Sequence, residues 1–160
     1  MASDAAAPLQ LPLWTWARLI FDLRRSSAGG GESGAFLLGP KGSAGITTYI
    51  CYDVLDPDAY QGGEIVFHGS GYAALWQHCK DKGLQVQADV HTHPTADVRQ
   101  SSIDVKHPMV PTIGHTAMIV PSLGRTRWWS LKDVGIYEYL GGFKWRTHRG
   151  QPHRVKLTLW

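Results

Sequence analysis

The stretch Leu84 to His93 alternates apolar and polar residues, so that Leu84, Val86, Ala88 and Val90 are predicted to share one face, and it ends abruptly at His91-Thr92-His93-Pro94. A period of two specifies an extended strand with a covered face, and the proline cannot continue a paired strand. The fold must therefore provide a sheet to receive this segment and a second layer to cover it. Two helices are predicted to supply that layer. Leu13 to Arg25 spaces Leu13, Trp16, Leu19, Ile20 and Leu23 as an amphipathic helix does. Tyr72 to Lys82 places Ala73, Leu75, Trp76 and Cys79 for burial before Gly83, a natural helix stop.

Other strands are expected at Glu32 to Gly39, Ile46 to Val54, Gly63 to Phe67, Thr116 to Val120, Arg127 to Leu131, Val134 to Leu140 and Phe143 to His148. Gly141-Gly142 joins the last two as a hairpin, and Ser101 to Lys106 is at most a turn or two of helix before Pro108. Strands and helices interleaved in this way specify an α/β protein. Residues 1–12, rich in Ala and Pro, are read as a loose segment ahead of a single domain spanning 13–160, without repeats or linkers.

A chain of 160 residues with 43% hydrophobic and 18% charged residues can bury a full core and is not disordered. It has no apolar run of about 18 residues and no basic-then-apolar start, so it is expected to be soluble, unexported and cytoplasmic. Cys51 and Cys79 lie in no CxxC pattern and are expected to be free thiols. Residues 124–160 carry 8 basic against 2 acidic residues, but these alternate with apolar ones as on a sheet edge, and nucleic acid is not an expected partner. Trp128 and Trp129, placed on a predicted strand, would point to opposite faces and offer one ring to a partner.

His91 and His93, two apart on a strand end, can share a metal ion, although a chain with 8 histidines produces about 0.4 such pairs by chance. The residues that follow make the pair specific. Pro94, then Ser101 eight after His93, then Asp104 three later, complete HxHP-x6-SxxD, which arises by chance roughly once in 10⁴ such chains. Two imidazoles and a carboxylate are three ligands of a zinc site with one open position, as hydrolysis requires. Ser101 and Asp104 also form a capping box, a structural role compatible with a chemical one. The reaction needs a carboxylate that is not a ligand. Besides the aspartates the chain offers Glu32, Glu64 and Glu138, of which Glu32 stands out at the head of an apolar strand after a Gly-rich break. The other six histidines are assigned nothing.

With these residues in place the chain resembles the JAMM metalloproteases, also called JAB or MPN domains, over roughly residues 13 to 140. Their motif is a Glu seven positions before a Gly, here Glu32 and Gly39, followed by HxHP-x6-SxxD. The resemblance implies a mixed central β-sheet flanked by helices, cytidine-deaminase-like, and a zinc-dependent peptidase that cleaves after the C-terminus of a ubiquitin-like protein. It implies that His91, His93 and Asp104 ligate Zn²⁺, that Glu32 is the general acid/base, and that Ser101 hydrogen-bonds the oxyanion. Without an evident second zinc-binding insertion, the chain looks most similar to small prokaryotic members. Those are found with ubiquitin-like proteins and with E1- and E2-like enzymes, in some cases in antiphage systems. A sulfur-carrier protein of ubiquitin fold is the alternative substrate, and a metal-free scaffold the alternative of another class. The motif leaves the oligomeric state open.

Overall fold

The computed structural model describes residues 6–148 and 154–160. Its centre is a six-stranded mixed sheet in the order β3-β2-β4-β5-β6-β7, formed by β2 (Gly34–Pro40), β3 (Thr48–Cys51), β4 (Leu84–Thr92), β5 (Thr116–Val120), β6 (Gly135–Gly141) and β7 (Lys144–Thr147). β4 and β5 are parallel and the other neighbours antiparallel. Helix α1 (Leu13–Ser26) covers one face with Trp16, Leu19, Ile20 and Leu23, which pack with Ala35, Leu37, Ala88, Val90 and Met118. Helices α2 (Tyr52–Leu55) and α3 (Gly69–Lys82) cover the other, where Tyr52, Leu75 and Cys79 meet Phe36 and Leu38. The chain is thus an α/β protein in which β2, buried on both faces, has the continuous apolar run that such a strand needs. Each fully buried Leu or Phe there contributes about 1.5–3 kcal/mol.

Several expectations need correction. Leu84 and Val86 do not share a face with Ala88 and Val90. Leu37 pairs with Ala88 but Leu38 with Val86, so Gln87 is bulged out and the alternation reverses. The bulge puts Val90 on the α1 face and His91 on the other. The opening segment is not loose throughout, since β1 (Leu9–Pro12) pairs in parallel with β8 (Val155–Thr158), while residues 1–5 lie outside the described residues. Gly63 to Phe67 is no strand. Gly62 and Gly63 both take φ of 84°, and the Val66 N–H bonds back to the Ala59 carbonyl within its own loop. Arg127 to Leu131 is a turn closed by Arg127 and Asp133 at 2.7 Å, so the opposite-face argument for Trp128 and Trp129 fails. Both rings are exposed, and Trp128 stacks on Trp14.

The Ile46 to Val54 strand shrinks to β3 because Tyr52 turns inward against Phe36 and Phe67 and starts α2. Helix α3 starts at Gly69, three residues earlier than expected, and leaves Ala73 and Trp76 exposed. Gly141, Gly142 and Phe143 form the hairpin turn, all with positive φ. Cys51 and Cys79 are free. No helix among the described residues is long and apolar enough to cross a membrane.

Candidate metal centre

The β2–β4 ladder ends at the Gly34–His91 pair, and three elements bring the predicted residues together just beyond it. Gly34 is required there because a Cβ would collide with the Tyr52 ring and the Val90 carbonyl oxygen. His91 leaves β4 on the α3 face, and His93 follows with its ring centroid 5.0 Å away. The backbone of His93 is held from both sides. Its N–H donates to the Val120 carbonyl at 2.9 Å, and its carbonyl accepts from Leu123 N–H at 2.8 Å. Leu123 and the preceding Ser122, both with φ of 54°, are left-handed without being glycine, local strain of the kind kept beside functional sites.

Asp104 arrives from α4 (Ser102–Lys106), whose start is a complete capping box. The Ser101 N–H donates to Asp104 Oδ2 at 2.7 Å, and the Asp104 N–H donates to Ser101 Oγ at 3.1 Å. The box turns the carboxylate onto both imidazoles. Oδ1 lies 3.2 Å from His91 Nε2 and Oδ2 lies 3.2 Å from His93 Nε2. His93 Nδ1 lies 2.9 Å from the Asp97 carbonyl, a contact that commits this nitrogen to donate and leaves Nε2 a lone pair in the metal-binding tautomer.

The donor set passes a test for a cation. All three ligand atoms lie within 4.8 Å of one another. A tetrahedral ion with bonds of about 2.1 Å separates its ligands by about 3.4 Å, close to the 3.2 Å from Asp104 to each ring. His91 Nε2 is buried at ion-pair distance from Asp104 but without hydrogen-bond alignment, which leaves it with no hydrogen-bond partner among the described residues. A buried acceptor is costly to leave in that state, and a metal ion satisfies it. Burial pushes the Asp104 carboxyl up, but the two histidines and the Ser101 N–H outweigh it and hold it well below the ordinary carboxylate range.

Glu32 lies two residues before β2 and lines, with His93, Pro94, Thr95, Asp97, Arg99, Gln100 and Ser101, a cleft of about 450 Å³. Burial raises its proton affinity, Asp104 and Glu64 add to this, and His91 and His93 oppose it. Glu32, His91, His93, Ser101 and Asp104 are thus in one neighbourhood. The motif did not reveal three buried hydroxyls, Ser27, Ser33 and Thr92, which lie behind the site, the last of them 59 residues beyond Ser33.

A larger cleft, about 900 Å³, lies at the opposite end of β4, lined by Leu84 to Gln87, Glu138, Arg146, His148 and Arg154. It is the roomier cleft but holds no metal-ligand group among the described residues, because His148 shares its carboxylate with arginines. His115 is buried against Asp89 at 2.6 Å, and His153 lies outside the described residues.

No family model matches this sequence. Two solution structures share the fold. One, of a protein from Desulfitobacterium hafniense, has a TM-score of 0.61 at 14% identity, over 88% of this chain and 89% of that one. The other, of a protein from Salinibacter ruber, has a TM-score of 0.58 at 17% identity, over 92% and 90%. A crystal structure of a JAB1/MPN domain protein from Archaeoglobus fulgidus aligns at a TM-score of 0.45 and 16% identity, over 83% and 89%.

Proposed function

We propose that this chain is a zinc-dependent peptidase that hydrolyses the bond after the C-terminus of a ubiquitin-like protein, removing it from conjugates or maturing its precursor. The observation that carries the reading is the convergence of His91 Nε2, His93 Nε2 and both Asp104 oxygens beside a carboxylate that is not a ligand. The three groups would hold the ion, which supplies Lewis acidity toward a carbonyl oxygen and toward water. Glu32, kept basic by burial, takes the proton of the attacking water and passes it to the leaving amine. Ser101 Oγ accepts from the Asp104 N–H and so keeps its own proton to donate to the oxygen of the attacked carbonyl. Its capping and chemical roles use different lone pairs and hydrogens. In the proposed setting the partners are the ubiquitin-like protein, its conjugates and the E1- and E2-like enzymes that build them, in the cytoplasm.

The test is metal analysis of the purified protein followed by incubation with a lysine-linked ubiquitin-like conjugate and a linear C-terminal fusion, with and without a chelator. The expected result is about one zinc per chain and cleavage that stops on chelation and returns with zinc. Failure to take up zinc, or cleavage indifferent to the chelator, would sink the reading. Cleavage of linear adducts of a sulfur carrier alone would move the substrate to that class.

A further inference from the structure

The position of Glu32 poses a structural problem. It lies outside the β2–β4 ladder, where an unpaired strand end frays, yet its role requires a fixed distance to His91 and His93. Its own N–H donates to the Gly63 carbonyl at 3.1 Å, in a loop with two left-handed glycines. A firmer anchor is one residue further on. Thr92, between the two histidines, donates its N–H to the Ser33 carbonyl at 2.9 Å and accepts the Ser33 N–H on its side-chain oxygen at 3.0 Å. A single residue thus supplies both a donor and an acceptor to the neighbour of Glu32.

The far side of this contact is tied to α1. Ser33 Oγ donates to the Leu23 carbonyl at 3.0 Å and lies 2.8 Å from Ser27 Oγ, which is itself 3.4 Å from Thr92 Oγ1. Ser27, Ser33 and Thr92 are 3%, 0% and 0% exposed. Three hydroxyls buried where Ala and Val would fill the space demand a reason, since each needs its partner or costs about 1–3 kcal/mol. Apolar side chains would fill the site but would not select which residue of one strand end meets which of the other.

We propose that the Thr92 hydroxyl is a positioning group that latches the Glu32 segment to the histidine-bearing strand and so fixes the general base relative to the metal ligands. Thr92 points to the α1 face, away from the metal, so it touches neither ion nor substrate. The β-branch of threonine stiffens χ1 and holds the oxygen in place. What Glu32 does rests on the peptidase reading; how it is held does not.

The test measures amide hydrogen exchange at Ser33 together with zinc affinity and turnover of the linear ubiquitin-like fusion. In the wild-type protein the Ser33 amide is expected to be protected like those within β2, although it lies outside that strand. Thr92→Val keeps the shape and removes the hydroxyl. It should speed Ser33 exchange about 10-fold or more and lower kcat about 10- to 100-fold, with KM and zinc affinity within about threefold. Thr92→Ser should restore all of these. An unprotected Ser33 amide in the wild-type protein overturns the proposal without any variant. So does a folded Thr92→Val protein with wild-type kcat, or one whose zinc affinity falls as far as its kcat, which would assign the hydroxyl to the ligands instead. Absence of turnover in the wild type would reject the peptidase reading, and Ser33 exchange would still decide the latch.

Discussion

Two carboxylates near opposite ends of the sheet sit among basic side chains and behave differently. Asp104 faces His91 and His93, each at 3.2 Å. Glu138 faces Arg154 at 3.4 Å, Arg146 at 3.5 Å and His148 at 3.7 Å. Arg154 is further fixed on Thr116 Oγ1 at 2.8 Å and on the Gly114 carbonyl, so this group ties the segment entering β8 to the sheet. A guanidinium keeps its proton at any ordinary pH and has no lone pair to give. The Glu138 end is therefore a closed structural network. Imidazole can release its proton, and the Asp97 carbonyl orients one ring to do so, which gives the Asp104 end a donor set that can hold a metal ion.

The comparison breaks most visibly through Glu32. Glu32→Gln should lower turnover about 10²- to 10⁴-fold while leaving zinc stoichiometry intact, because it removes a base and not a ligand; metal analysis beside the activity assay checks both. Ser101→Ala should slow turnover about 10²- to 10³-fold. It also removes the cap on α4, at about 1 kcal/mol of stability. A loss of stability with unchanged turnover would leave Ser101 with the capping role alone.

At the other end the effect should be on stability only. Glu138→Gln strands the largely buried Arg154 and should cost about 2 kcal/mol in denaturant unfolding, with zinc affinity unchanged within about twofold. A change in metal binding there would mean the two ends are coupled.

The smallest effect is pH dependence of the metal-free protein. Burial works against protonation of His93, but Asp104 and the Asp97 carbonyl more than offset it, so its proton affinity is raised above the ordinary 6.5. Its contribution is present below that value and is lost as pH rises through the higher folded-state value. The Asp104 carboxyl is depressed, so its contribution is present above the ordinary 3.8 and is lost as pH falls below it. Unfolding free energy should peak between these limits with an amplitude on the order of 1 kcal/mol, read from denaturant unfolding across pH, and zinc should abolish the alkaline fall because it binds the deprotonated rings.

The candidate metal centre was legible because its parts are local. His91 and His93 are two apart at the end of one strand, and Ser101 and Asp104 are one helical turn apart in a capping box. Glu32 was legible through its place at the head of an apolar strand and its spacing to Gly39. Helix α1 could be read from its period because one face meets a single apolar layer. The bulge at Gln87 was not legible, since no residue type demands it and the partner strand decides it. Nor was the Trp128 turn, where apolar residues stay exposed and an Arg127–Asp133 pair replaces strand pairing.

Local periodicity and spacing thus determined that this chain is α/β, where α1 and most of α3 lie, and which residues form the candidate metal group. Tertiary structure alone decided which face of β4 His91 takes, that the two ends of the chain meet as β1 and β8, and that Thr92 reaches Ser33 and, through it, α1. The physical reason is distance along the chain. A cap or a helical stripe is specified by neighbours a few residues apart, whereas a hydrogen bond between residues 59 apart exists only once packing has brought them together.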